Sequence, residues 1–152
     1  MAAEYSRIDL QTVAEDENIL FDNGNRCCKK GFITHRDGSG VFRLKGASNA
    51  CKTVYRVTFN ANIAVAPAAD GGVLGAISVA LQEDGETLQN AVATVVPAAI
   101  GDAFNVSLTT FIVIPCGCCV TVSVENVSVG AAGAAGSAID VTNANIIFDR
   151  VA

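Results

Sequence analysis

Six cysteines are the residues best equipped for chemistry in this 152-residue chain: Cys27, Cys28, Cys51, Cys116, Cys118 and Cys119. A structural zinc site asks for Cys-x2-Cys or a related ligand spacing. The clusters here read Cys-Cys and Cys-x-Cys-Cys, so no metal is expected. Disulfides fit better. Neighbouring residues on an extended strand point to opposite faces, so one cysteine of each adjacent pair can face the core and the other a neighbour. Bridges within or between subunits would suit a particle that must survive outside the cell. The alternative is that the thiols stay reduced and pack as small apolar groups. A cysteine nucleophile would need a base within hydrogen-bond reach. The one histidine, His35, stands beside an expected hairpin turn and reads as a surface or structural residue.

The other polar clusters are equally poor in chemistry. Glu15-Asp16-Glu17 and Glu83-Asp84 with Glu86 lie in an N-terminal segment and a turn. Glycosidase work needs two carboxylates facing each other across a cleft, and no EF-hand spacing is present for calcium. Asp37-Gly-Ser-Gly lacks the Gly-Lys-Ser/Thr ending of a phosphate loop. Asn105-Val-Ser and Asn126-Val-Ser match the glycosylation sequon by chance, because no secretory leader is expected: residues 1–7 show no basic flank before an apolar run. The expectation is a non-enzymatic chain with no catalytic residue and no cofactor.

Composition says what positions these residues. Hydrophobic residues make up 51% and charged residues 16% of the chain, against about 25% charged in an ordinary soluble domain. A surface so poor in charge is expected to be covered by partners. No window reaches the roughly 18–20 uninterrupted apolar residues of a spanning helix, so no membrane insertion is expected. A net charge of −5 argues against nucleic acid, which needs a basic face. The one basic cluster, Arg26, Lys29 and Lys30 with Arg36 nearby, reads as a solvated loop. The apolar residues are mainly Val, Ala and Ile, and 14 glycines supply turns.

Period-2 alternation follows. Tyr55, Val57, Phe59, Ala61, Ile63 and Val65 form the core face of the clearest strand. Residues 75–81 and 87–96 flank an acidic turn at 83–86. Residues 104–114 follow, with Phe104, Val106, Leu108, Ile112 and Ile114 on one face. Residues 120–124 come after a turn at 115–117, then a Gly/Ala/Ser loop at 130–138 and a closing strand at 139–151. Earlier, 17–21 is a short strand candidate, and 32–35 and 41–44 flank an Asp-Gly hairpin turn. Roughly eight strands without helical periodicity predict an all-β, two-sheet jelly-roll sandwich, with residues 1–16 as an N-terminal arm or tether and 17–152 as the domain.

The order of these features resembles the trimeric jelly roll of the tumour necrosis factor and complement globular-head superfamily. The carriers are residues 18–22 (Asn-Ile-Leu-Phe-Asp), 34–44 with their Gly-Val-Phe strand, the 54–65 strand, the 81–86 hairpin and the closing Ile146-Ile-Phe-Asp-Arg-Val. Pro115-Cys-Gly-Cys-Cys departs from the Gly-Asp that usually stands there in that superfamily. The two ends, residues 5–13 and 143–152, are similar to small proteins encoded by phages and prophages of gut Firmicutes. That second likeness implies a virion component.

Self-association has a physical argument too. Phe111 and Val113 stand beside Ile112 and Ile114, and a strand apolar on both faces is buried on both. One face meets the domain core and the other must meet another subunit, which a closed heterologous trimer supplies. Phe111, Val113 and Phe148 are the expected interface residues. The reading is a homotrimeric capsid decoration or head-fibre knob on the virion surface, made in the host cytoplasm. Its partners would be itself and the major capsid protein or another virion protein. The alternative is a trimeric receptor- or glycan-binding head.

Overall fold

Residues 2–22 and 32–152 are described by the computed structural model. Cys27, Cys28 and the basic residues Arg26, Lys29 and Lys30 lie outside the described residues. The alternation read in the sequence becomes ten strands among them: β1 (Ala2–Arg7), β2 (Gln11–Val13), β3 (Ile33–His35), β4 (Val41–Lys45), β5 (Lys52–Val65), β6 (Ile77–Glu83), β7 (Glu86–Val95), β8 (Phe104–Pro115), β9 (Cys119–Asn126) and β10 (Ile139–Arg150). One sheet runs β1-β10-β5-β8, with β2 also on β10, and the other runs β3-β4-β9-β6-β7. Every pairing is antiparallel. The chain crosses from sheet to sheet, so that β10 lies between β1 and β5 and β9 between β4 and β6. This is the expected two-sheet jelly roll.

The inner faces follow from strand parity. Tyr55, Val57, Phe59, Ala61, Ile63 and Val65 of β5 are all buried. They meet Phe42 and Leu44 of β4 and Val120, Val122 and Val124 of β9 in one core cluster. Each large apolar side chain so buried contributes about 1.5–3 kcal/mol. The acidic turn is built as expected, with Asp84 at φ 51° and Gly85 at φ 84°, the left-handed pair of a type I′ hairpin. Asp84 also latches that hairpin to β9, its Oδ1 accepting from the Thr121 amide at 2.8 Å.

Three expectations need correction. Phe148 is not at an interface but fully buried, its ring 4.8 Å from that of Phe42. The cause is a bulge in β10 between Thr142 and Asn145, where Asn143 takes φ 52°. The extra residue switches the inward parity from Ile139 and Val141 to Ala144, Ile146 and Phe148. Within the segment read as an arm or tether, residues 2–16 hold two strands of the sandwich: β1 and β2 both pair with β10. Phe104, at the start of β8, is 39% exposed rather than buried in the core.

Candidate self-association surface and thiol pole

Strand β8 is the outermost strand of its sheet and pairs with β5 from Lys52↔Pro115 to Ile63↔Phe104. Its inward residues Val106, Leu108, Ile112 and Ile114 are buried, whereas Phe111 and Val113, pointing outward, are 61% and 50% exposed. Val113 lies opposite Val54 and Phe111 opposite Arg56, which makes an apolar patch at one end of this outer face. Along the rest of the face, cross-strand pairs are polar. Asn105 Nδ2 donates to Asn62 Oδ1 at 3.1 Å, and Thr109 Oγ1 donates to Thr58 Oγ1 at 3.4 Å.

Beside the patch is a shallow cavity of about 380 Å³ lined by Ala2, Arg56, Thr58, Thr109, Ile147 and Asp149. Ala2 and Ile147 are its apolar side chains. Its rim carries the Arg56–Asp149 ion pair at 2.7 Å. Across the side of the sandwich, β8 faces β7, the edge of the other sheet, through Asn90 Nδ2 donating to Thr110 Oγ1 at 3.3 Å. Val92 on β7 is 40% exposed there. Phe111 and Val113, two of the three interface candidates, are thus brought together, and Phe148 is not. Val54, Ala2 and Ile147 were missed. Their signal was present in the outward parity of β5, β1 and β10, but it needed the register to be read.

Four of the cysteines gather at the end of the sandwich where β5 begins and β8 turns into β9. Cys51, Cys116 and Cys118 are exposed, Cys119 is half-buried, and all four are free thiols. The Cys116 thiol donates to the Ser48 carbonyl at 3.3 Å, and the Arg43 guanidinium donates to Cys119 Sγ at 3.0 Å. The two turns are joined by the Gly46 amide donating to the Cys118 carbonyl at 2.8 Å. A Cβ at Gly46 would lie 2.5 Å from the Pro115 carbonyl oxygen, so this close approach needs glycine.

His35 is engaged elsewhere. Its ring stacks on Phe42 at 4.3 Å and contacts Tyr5 at 5.0 Å, and Nε2 lies 2.9 Å from the Ser39 carbonyl. Burial pushes the carboxyls of Glu83 and Glu125 above the usual Glu value, helped by the charges of Asp84 and Asp16 respectively. Burial also raises the Tyr55 phenol, which donates to the Lys45 carbonyl at 3.0 Å. Among the described residues no group of His, Cys, Asp and Glu could hold a metal ion.

No protein-family model and no curated protein matches this sequence. Among solved structures, the fold is similar to a globular domain of the zebrafish complement 1qA protein. The TM-score is 0.62 at 14% identity, over 97% of this chain and 94% of that one. The likeness is one of fold, and it agrees with the ten-strand jelly roll described above.

Proposed function

We propose that this protein is a non-enzymatic head module that closes into a homotrimer and serves on the surface of a phage particle as a decoration protein or head-fibre knob. The observation that carries self-association is the apolar edge: Phe111 and Val113 stand in solvent on an outermost strand, next to Val54. Such an exposed apolar patch marks a surface that another chain covers. A second copy can offer Ala2 and Ile147 on its own outer face, and a head-to-tail contact of unlike surfaces closes into a ring when its rotation allows. The complement-type fold supports the same reading. The placement on a phage rests on the likeness of residues 5–13 and 143–152 to phage-encoded proteins.

Light scattering tests the first part. The expected mass is three times the 15.6 kDa of one chain, and a monomer mass sinks the trimer. Mass spectrometry of purified virions tests the second. The peptide should be present at structural abundance, and its absence removes the virion role. Binding to intact host cells would move the reading to a receptor-binding head.

A further inference from the structure

We infer that Cys51 and Cys116 form a chain-internal disulfide when the protein meets an oxidising medium, locking the β4–β5 turn to the β8–β9 turn. The pairing follows from the ladder. Lys52 and Pro115 are register partners. The Cys116 amide donates to the Cys51 carbonyl at 3.1 Å, so the two cysteines face each other just beyond the last paired rung. Residues so opposed in an antiparallel arrangement have Cα atoms about 5.5 Å apart, within the range of about 4.4–6.8 Å that a disulfide spans.

Carried one residue past the end of each strand, the parity of β5 and β8 puts both side chains on the same side of the sheet. Thr53, two residues from Cys51, and Ile114, two residues from Cys116, both point inward and are fully buried. The pair sits past the last core layer, so both thiols are exposed and open to an oxidant. The Cys116 thiol already leans toward the 46–51 turn, as its bond to the Ser48 carbonyl shows. The other two described cysteines are directed elsewhere: Cys119 bonds Arg43 on the outward face of the second sheet, and Cys118 closes the turn through its amide to the Pro115 carbonyl.

The oxidant is a low-molecular-weight disulfide such as oxidised glutathione. One protein thiolate attacks it, forming a mixed disulfide and releasing one glutathione thiolate. The second protein thiolate then attacks the protein sulfur of the mixed disulfide and expels the other. Two protein thiols lose their hydrogens, and two molecules of glutathione carry away the electron pair and protons. The inference does not depend on the trimer, because the bridge lies within one chain.

The test equilibrates the reduced full-length protein with oxidised glutathione, blocks the remaining thiols with N-ethylmaleimide and maps the product by tandem mass spectrometry. Trypsin leaves Cys116, Cys118 and Cys119 on one peptide, since no Lys or Arg lies between Arg56 and Arg150. Variants therefore make the assignment. A bridge should survive in Cys118→Ser/Cys119→Ser and vanish in both Cys51→Ser and Cys116→Ser, and the oxidised protein should melt several degrees higher than the reduced one. Full alkylation of Cys51 and Cys116 in folded protein overturns the inference. So does a bridge from either of them to Cys27, Cys28, Cys118 or Cys119, or to another chain.

Discussion

Along one long side of the sandwich, between β1/β2 and β3/β4, residues 14–22 run as a strap that seals the gap between the sheets. The Ile19 amide donates to the Val124 carbonyl at 2.8 Å, and Phe21 exchanges backbone bonds with Ser39 and Gly38. The Gln11 side chain both donates to and accepts from the Leu20 backbone. Ile19 and Phe21 are fully buried. The strap passes so near the β3–β4 turn that a Cβ on Gly40 would sit 2.7 Å from that of Asn18. Along the opposite side, β7 and β8 meet without such a segment, and Phe111 and Val113 on the outer face of β8 and Val92 on the outer face of β7 are exposed. One side is completed by the chain itself, and the other has the composition of a surface completed by something else.

The strap is where the largest effect is expected. Phe21→Ala removes a ring that packs against Phe42 at 5.4 Å and Phe59 at 6.3 Å. A buried Phe→Ala truncation costs about 3–5 kcal/mol, a large part of a stability of roughly 5–15 kcal/mol. Urea unfolding should show a midpoint lowered accordingly, with little change in slope. A loss below about 1 kcal/mol would mean that the strap is not part of the core.

On the open side the expected effect falls on assembly and not on folding. Phe111→Glu puts a charge on an already solvent-facing position, so urea stability of the separated chain should move by no more than about 0.5 kcal/mol. The trimer's dissociation constant should rise at least about tenfold, equivalent to ~1.4 kcal/mol, read by sedimentation across a concentration series. Ile8→Glu sharpens the comparison. Ile8 is even more exposed, at 73%, but it lies on the strapped side, and its replacement should leave the mass unchanged. Equal effects at both positions would erase the distinction between the sides.

Much of this architecture was legible in the sequence, and the failures have specific causes. Strand β5 was readable because from Tyr55 to Val65 every inward residue is apolar and from Arg56 to Asn62 every outward one is polar. The hairpin at 83–86 was readable because Asp-Gly states its own turn type. Phe148 was misplaced because Ile146-Ile147-Phe148 carries no parity of its own, and the parity upstream is reversed by a bulge whose only sequence mark is Asn143. Residues 1–16 read as an arm because β1 and β2 are short and gain their order by pairing with β10, more than 120 residues away in the chain. The cysteine pair could not be read at all: Cys51 and Cys116 become neighbours only once the β5–β8 register is fixed.

The smallest expected effect returns to the strap through its charges. Glu125 lies on β9, where Asn18 of the strap bridges to it. Burial raises its pKa above the ordinary Glu value, the hydrogen bond of Gln82 opposes that rise, and the Asp16 carboxylate adds a smaller one. The folded protein therefore binds this proton more tightly than the unfolded chain does. By linkage, stability falls as pH rises from the unfolded value through the raised folded one, and the deficit persists above it. Glu125→Gln removes that deficit. It should raise Tm by about 1 °C at pH 7, the effect being small because the group is largely hydrated, and should change nothing measurable near pH 3, where the carboxyl is protonated in both states. Asp16→Asn should recover only part of the gain. A destabilised Glu125→Gln at neutral pH would show that the Gln82 hydrogen bond outweighs burial and the field of the strap.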